Sequence, residues 1–260
     1  MPRILVIVPF PLDEMNLAQR RAQGASVVLP PDVRIDHRAV RVAPSNYVSG
    51  HDTVIAELSI IEAGAGAERD GYDAVCIDTV SDTGVAALRS MLAIPVIGPG
   101  RHSMLAALML GRRFSILTMW NAWRPLYRKT LDELDLHAHC ASVRSADLTP
   151  DNRNLLAGKE DDVFPRLEQV ARQCIEEDGA DVIILGSTTM HGAHAYLSQR
   201  LPVPVINPGP LSYALAYRAV RMRLGLSVAA YPRNAGPAAT LLSQCVEAGA
   251  LADANNAAAR

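Results

Sequence analysis

Short runs of branched apolar residues alternate along the chain with segments whose apolar residues recur every three or four positions. The apolar runs predict strands at 3–10, 33–40, 73–78, 94–100, 113–119, 139–146, 181–186 and 203–209. The periodic segments predict helices at 51–71, 85–92, 103–112, 123–134, 163–179 and 211–225. Apolar strands that alternate with helices are typical of parallel sheets covered on both faces, so the pattern predicts an α/β fold.

The second half of the chain repeats the pattern of the first. RDGYDAVCIDTVSDTG at 69–84 aligns with EDGADVIILGSTTMHG at 177–192, with an offset of 108 residues. IPVIGPG at 94–100 aligns with VPVINPG at 203–209 at an offset of 109, and RILVIVPF aligns with RFSILTMW at an offset of 110. We therefore predict two homologous flavodoxin-like or Rossmann-like lobes with parallel sheets, related by a pseudo-twofold axis and separated by a cleft.

The repeat also suggests how the chain divides into domains. Each copy ends in a Pro/Gly turn followed by a helix, and the second of these helices begins near residue 210. We predict the first α/β lobe at 1–98, the second at 99–209, and C-terminal helices at 210–260 that pack back on the first lobe.

Composition and charge limit the class of partner. Apolar residues make up 49% of the chain and charged residues 20%, which is enough for a sizeable core. The net charge is −2 and no basic face stands out, which argues against nucleic acid or an anionic membrane as a partner. No apolar stretch approaches the roughly 18 residues of a membrane helix, and the first residues lack the features of a secretory signal. We predict a cytoplasmic homo-oligomer that binds a small molecule.

The four cysteines carry no recognisable site. Cys76, Cys140, Cys174 and Cys245 are far apart in sequence and form no CxxC pair. Neither a disulfide framework nor a metal site is indicated, so we expect reduced and mostly buried thiols.

Two hydroxyl side chains occupy equivalent positions in the two repeats. Thr79 and Ser187 each follow a predicted strand, and 187 − 79 gives the offset of 108. Ligands of parallel sheets bind at the carboxyl ends of strands, where the free N–H groups of the next helix also point. We therefore expect both hydroxyls to face one cleft. Phe10 and Trp120 also match, at 120 − 10 = 110, and either line the cleft or pack in the core.

These segments resemble the Asp/Glu/hydantoin racemase superfamily, and the hydantoin racemase branch most of all. GYDAVCIDTVSDTGVAALR and GADVIILGSTTMHG resemble the two segments that each carry a catalytic cysteine in that family. IPVIGPGRHSMLAALMLGRRFSILT and LPVPVINPGPLSYALAYRAVRMRLGLS resemble its two crossovers, so the resemblance reaches to about Ser227. It implies the family's fold and a reaction without a cofactor, in which one thiolate removes an α-proton and the other thiol donates one to the opposite face.

The resemblance also implies that the catalytic groups have changed. Carried over by position, the two catalytic cysteines fall on Thr79 and Ser187, so both thiols are replaced. Cys76 lies three residues earlier, inside the strand, and does not restore the motif. The family's first loop is an Asn-Pro-Asn-Thr type of run that holds a carboxylate or imide. Here it reads Val8, Pro9, Phe10, Pro11 and lacks those polar side chains.

A hydroxyl cannot simply replace a thiol as acid and base. The pKa of a cysteine is about 8.5 and is readily lowered, whereas an alcohol is almost never ionised at neutral pH. Thr79 and Ser187 can hydrogen-bond a carboxylate, an imide or a developing oxyanion, or Ser187 can act as a nucleophile if a base lies within reach. Asp78 and His191 are the candidate bases, with a salt-bridge or capping role for Asp78 and a surface position for His191 as the alternatives.

Further candidate residues lie near the same strand ends. The predicted substrate-binding residues are Pro9, Phe10, Val80, Ser81, Trp120, Thr188 and His102. A structural role at the start of a helix is the alternative for His102. Asp82 is expected to cap the turn into the helix at 85–92.

Three functions fit these observations. The leading hypothesis is a cofactor-independent, racemase-like or isomerase-like enzyme that acts on a small cyclic amide, such as a hydantoin, or on a carboxylic acid. The first alternative is a hydrolase or lyase that uses Ser187 as a nucleophile or oxyanion donor. The second is a small-molecule binding protein that has kept the cleft and lost the chemistry.

Overall fold

The protein is built on two four-stranded parallel sheets. The computed structural model describes residues 1–151, 156, 158–233 and 238–258. The strands are β1 (Arg3–Val8), β2 (Arg34–Ala39), β3 (Ala74–Ile77), β4 (Val96–Ile97), β5 (Phe114–Thr118), β6 (Cys140–Ser145), β7 (Val182–Leu185) and β8 (Val205–Ile206). The helices are α1 (Glu14–Arg21), α2 (Gly50–Gly64), α3 (Val85–Met91), α4 (Pro99–Leu110), α5 (Arg124–Leu134), α6 (Glu160–Glu176), α7 (Ala193–Arg200), α8 (Pro208–Arg221) and α9 (Ala238–Ala258).

The two sheets have the same topology, which confirms the predicted fold class. Their strand orders are β2-β1-β3-β4 and β6-β5-β7-β8, with parallel neighbours throughout. The pairing registers match as well, because Ile4 lies opposite Ala74 in one sheet and Phe114 lies opposite Val182 in the other. These pairs differ by the sequence offsets of 110 and 108. All eight predicted strands are therefore present, with their repeat relationship preserved.

Each sheet is covered by the helix that follows the last strand of the other sheet. Met104 and Ala107 of α4 are buried in the same cluster as Phe114 and Val182 of the second sheet. Conversely, Tyr213, Ala216 and Tyr217 of α8 are buried with the inner residues of β1 and β3. This exchange joins the lobes through two apolar cores. The domain boundaries predicted above stay a prediction.

Helix α1 was not predicted from the sequence, whereas α7 and α9 were expected only as a helix after Ser187 and as part of the C-terminal helices at 210–260. Among the residues of α1, only Leu17 and Arg20 are buried, so the segment lacks the apolar stripe that marks an amphipathic helix. Its start is instead fixed by Asp13, whose side chain accepts a hydrogen bond from the Asn16 N–H at 2.8 Å. This helix carries a residue of the candidate site.

Candidate functional site

The two repeated strands end at one shared cavity. Thr79 follows β3 and Ser187 follows β7, and both side chains line a cavity of about 30 Å³ that is partly open to solvent. Its polar lining is formed by Arg20, Asp78, Thr79, Ser81, Ser187, Thr188 and Thr189. Its other lining residues are Phe10, Tyr47, Val80, Trp123, Leu126, Tyr127 and Gly186. The mixed polar and apolar lining is that of a small-molecule site.

Hydroxyl groups are paired in the same way on both sides of the cavity. In the first lobe Thr79 Oγ1 lies 3.0 Å from Ser81 Oγ, which lies 2.8 Å from Thr83 Oγ1. In the second lobe Ser187 Oγ lies 2.8 Å from Thr189 Oγ1 and accepts a hydrogen bond from the Thr189 N–H. The Thr79–Ser81 pair corresponds to the Ser187–Thr189 pair at the offset of 108, so the pseudo-twofold relation extends to the side chains.

A buried ion pair forms part of the cavity wall. Arg20 Nη1 lies 3.3 Å from Asp78 Oδ2, and the two side chains are 1% and 0% exposed. Gln23 Nε2 donates to both carboxylate oxygens of Asp78, at 3.1 and 3.3 Å. Thr188 Oγ1 donates to the Asp78 backbone carbonyl at 3.1 Å, which ties the two lobes together. The pairing neutralises a charge that would be costly to bury alone.

Arg20 and Gln23 were missed because the segment that carries them has no sequence signal of its own. Arg20 lies on α1, and Gln23 lies in the 3-10 turn Ala22–Ser26 that follows. An arginine in a polar segment reads as a surface charge, and only the packing of α1 against the strand ends buries it. Tyr47, Trp123, Leu126, Tyr127 and Thr189 were also missed as lining residues.

The predicted residues divide into two groups. Phe10, Asp78, Thr79, Val80, Ser81, Ser187 and Thr188 line the cavity. The other predicted residues are not part of the lining: Pro9, Trp120, His102 and His191. The Pro9 carbonyl accepts a hydrogen bond from the Tyr47 hydroxyl at 2.8 Å. His102 Nδ1 lies 2.7 Å from the Gly98 carbonyl oxygen. Trp120 packs edge-on against Trp123, with ring centroids 6.3 Å apart. The substrate contacts proposed for all these residues stay a prediction.

The charges of the Arg20–Asp78 ion pair affect the pKa of His191. Burial lowers the pKa of His191 below its usual value, while Asp78 raises it and Arg20 lowers it further. The imidazole is therefore neutral at neutral pH and able to accept a proton.

Tyr127 closes the cavity at the end of β7. Its hydroxyl donates to the Gly186 carbonyl at 2.7 Å and lies 2.8 Å from Thr118 Oγ1. Gly186 leaves room for this contact, because a Cβ added there would lie 2.8 Å from the Tyr127 hydroxyl and 2.9 Å from the Leu117 carbonyl oxygen. The glycine before Ser187 thus allows the tyrosine to approach the backbone.

Asp82 stabilises a different helix from the one expected. Its carboxylate accepts hydrogen bonds from the N–H groups of Gly100 at 2.7 Å and Arg101 at 2.8 Å. It therefore caps α4, and the prediction that it caps the helix at 85–92 is wrong. Asp82 has a φ of 53°, and this left-handed backbone turns its side chain toward the crossover helix.

The cysteines lie at other places in the fold. Cys76 is buried, and its thiol donates to the Ser212 carbonyl oxygen at 3.6 Å. Burial raises the pKa of Cys76 to about 12. Cys140 is half-buried, Cys174 is buried and Cys245 is exposed, and the cavity lining contains none of the four. Within the described ranges, no cluster of His, Cys, Asp and Glu could hold a metal ion.

Comparison with known proteins places this architecture in a family. The sequence profile of Asp/Glu/hydantoin racemases matches residues 17–216. The chain belongs to the Asp/Glu/hydantoin racemase family. It is 31% identical over 209 residues to a hydantoin racemase of Paenarthrobacter aurescens, across 79% of this chain and 86% of that protein.

Solved structures of the racemase family agree with this assignment. An allantoin racemase from Klebsiella pneumoniae superposes with a TM-score of 0.81 at 26% identity, covering 91% of this chain and 95% of its own. An allantoin racemase from Pseudomonas fluorescens shares the fold, with a TM-score of 0.80 at 24% identity and coverage of 90% and 97%. The relatives named racemases support a racemase-type enzyme. None of the helices in the described part of this racemase-family chain is long and apolar enough to cross a membrane.

Proposed function

We propose that the protein is a cofactor-independent racemase or isomerase that labilises an α-proton of a small cyclic amide, such as a hydantoin, or of a carboxylic acid. The observation that carries the proposal is the placement of two equivalent hydroxyls, Thr79 and Ser187, on one cavity beside the Asp78 carboxylate. A cytoplasmic location and a homo-oligomeric state stay predictions from the sequence.

The charge of the cavity favours a neutral substrate. Of the described lining residues, Arg20 and Asp78 carry the charges, and they are paired with each other. A dicarboxylate would find no uncompensated cation among these side chains, whereas a cyclic amide can accept and donate hydrogen bonds with the hydroxyls. Phe10, which stacks on Tyr47 at 5.4 Å, and Trp123 provide flat apolar surfaces for its ring.

The proposed chemistry uses the carboxylate as the base. Asp78 takes the α-proton, the electron pair of the C–H bond becomes an enolate, and the enolate oxygen accepts hydrogen bonds from the Thr79 or Ser187 hydroxyl. A proton returned to the carbon completes the exchange. An alcohol is a poor base at neutral pH, but a carbanion is basic enough to take its proton when another donor replaces that proton on the oxygen.

Exchange of the α-proton in deuterated water tests the proposal. Each enantiomer of a panel of 5-substituted hydantoins and chiral α-substituted acids is incubated with the protein, and deuterium uptake is followed by NMR beside chiral chromatography. We expect exchange with the wild type and its loss in Asp78→Asn, with folding checked by circular dichroism. Loss in His191→Gln instead would make the histidine the base.

Two other outcomes correspond to the alternative functions. If the wild type hydrolyses an ester, amide or lactone and Ser187→Ala abolishes that turnover, the enzyme is a hydrolase. If the panel compounds bind without exchange or turnover, the protein is a binding protein.

A further inference from the structure

We propose that the hydroxyls of Thr79, Ser81 and Thr83 form a proton relay from the cavity to solvent, so that, once bound substrate has displaced water from the cavity, solvent protons reach the substrate carbon from the Thr79 face alone. This inference rests on the proposed function, since it requires a carbanion in the cavity. It assigns the two lobes unequal roles, although their strands, turns and leading hydroxyls are equivalent.

The chain of hydroxyls in the first lobe is continuous and leaves the cavity. Its two links measure 3.0 Å from Thr79 to Ser81 and 2.8 Å from Ser81 to Thr83, both within hydrogen-bonding range. Thr79 and Ser81 line the cavity, while Ser81 and Thr83 line a separate, solvent-open groove next to Lys129. Ser81 therefore lies in the wall between the two spaces and joins them.

The chain in the second lobe ends inside the protein. Ser187 is linked to Thr189 at 2.8 Å, and Thr189 Oγ1 donates in turn to the sulfur of Met119 at 3.8 Å. Met119 is 3% exposed, and a thioether has no proton to pass on. The residue equivalent to Thr83 in the second lobe is His191, at the offset of 108. Thr189 donates its hydrogen bond to Met119, whereas its equivalent Ser81 is linked to Thr83.

The transfer balances as a concerted shift of protons. The Thr79 O–H proton moves to the substrate carbanion, the Ser81 proton moves to Thr79, and the Thr83 proton moves to Ser81. A water molecule in the groove then gives a proton to Thr83 and becomes hydroxide, and the proton held by Asp78 either returns to substrate in the reverse reaction or is released to neutralise that hydroxide. None of the three hydroxyls keeps a charge, so the alcohols never need to exist as alkoxides at neutral pH.

The relay predicts where deuterium first appears. Solvent deuterium enters at the Thr79 face, whereas the proton held by the buried Asp78 returns to the opposite face before it exchanges with solvent, so the same enantiomer carries the early deuterium whichever one is supplied. The reaction is stopped at less than a tenth of full exchange, the two enantiomers are separated by chiral chromatography, and NMR measures the deuterium in each. A site with two solvent-linked donors would label both enantiomers at comparable rates, and that result would overturn the proposal.

Substitutions at Thr83 test the route itself. Thr83→Val removes the outer hydroxyl and keeps the branched shape, and we expect deuterium uptake to fall by about 10²-fold, within the usual range for a lost proton donor. Thr83→Ser restores a hydroxyl and should restore uptake, which separates a relay from a packing effect. Unchanged uptake in a folded Thr83→Val protein would refute the relay while leaving the proposed function intact. No exchange by the wild type on any hydantoin would instead refute the proposed function, and the relay with it.

Discussion

The buried pair of Arg20 and Asp78 leads to a quantitative prediction. At the observed 3.3 Å between Nη1 and Oδ2, the attraction is about 5 kcal/mol for an effective dielectric constant of about 20. Both side chains are out of contact with solvent, so either one left alone is an uncompensated buried charge. We expect Arg20→Met to lower the free energy of unfolding by about 3–5 kcal/mol, the range measured when one partner of a buried pair is removed.

A double-mutant cycle isolates the pair from other effects. Asp78→Asn should also destabilise, because it leaves the guanidinium uncompensated, but Arg20→Met with Asp78→Asn removes both charges and should recover much of the loss. The expected coupling energy is several kcal/mol, measured by urea unfolding with circular dichroism and tryptophan fluorescence as two probes. Coincident transitions are needed for the free energies to be defined, since two lobes can unfold separately. Single variants within 1 kcal/mol of the wild type and a coupling energy near zero would refute the assignment of a charged buried pair.

Three further predictions concern the site and its surroundings. The double variant Thr79→Cys with Ser187→Cys should exchange the α-proton of hydantoins faster than the wild type, because thiols are ionised at neutral pH far more readily than alcohols. If NMR shows the same rate of deuterium uptake in the folded double variant as in the wild type, the idea that the two hydroxyls replace catalytic thiols is contradicted. The pKa of His191 in the folded protein is lower than its unfolded value of about 6.5, so in acid the unfolded state binds more protons than the folded state. The contribution of the neutral His191 to stability is therefore complete above the unfolded pKa and is lost as the pH falls below it. Urea titrations should therefore show a smaller acid destabilisation for His191→Gln than for the wild type, and equal pH slopes would contradict this. Cys76 should resist iodoacetamide in the folded protein because it is buried and its pKa is raised, while the exposed Cys245 should react. Peptide mass spectrometry measures both modifications, and modification of Cys76 as fast as Cys245 would show that its thiol is accessible.

Much of the fold followed from the sequence because its signals are local and repeated. Branched apolar runs identified all eight strands, and the offsets of 108 to 110 reproduced the register between equivalent strands. The same offset paired Thr79 with Ser187, which line one cavity. The family resemblance, confirmed by comparison, rests on these same segments.

The sequence was a poorer guide where a segment depends on distant partners. Helix α1 has one buried apolar side chain, Leu17, so its helical pattern is weak, and Arg20 looks like a surface charge until the helix packs on the strand ends. The offset drew attention to Trp120, yet Trp123, in the 3-10 turn that follows, lines the cavity. Asp82 shows the same limit, because the N–H groups that it caps lie 18 and 19 residues further along the chain.

The sequence by itself therefore determined the α/β class, the duplication, and the two hydroxyls that end equivalent strands. The tertiary structure alone decided which charges are buried, which aromatic rings face the cavity, and that the hydroxyls of one lobe lead to a groove while those of the other end at Met119. The physical reason is that periodicity and repeats are properties of neighbouring residues. Burial, charge pairing and hydrogen-bond continuity arise from contacts between segments that only the folded chain brings together.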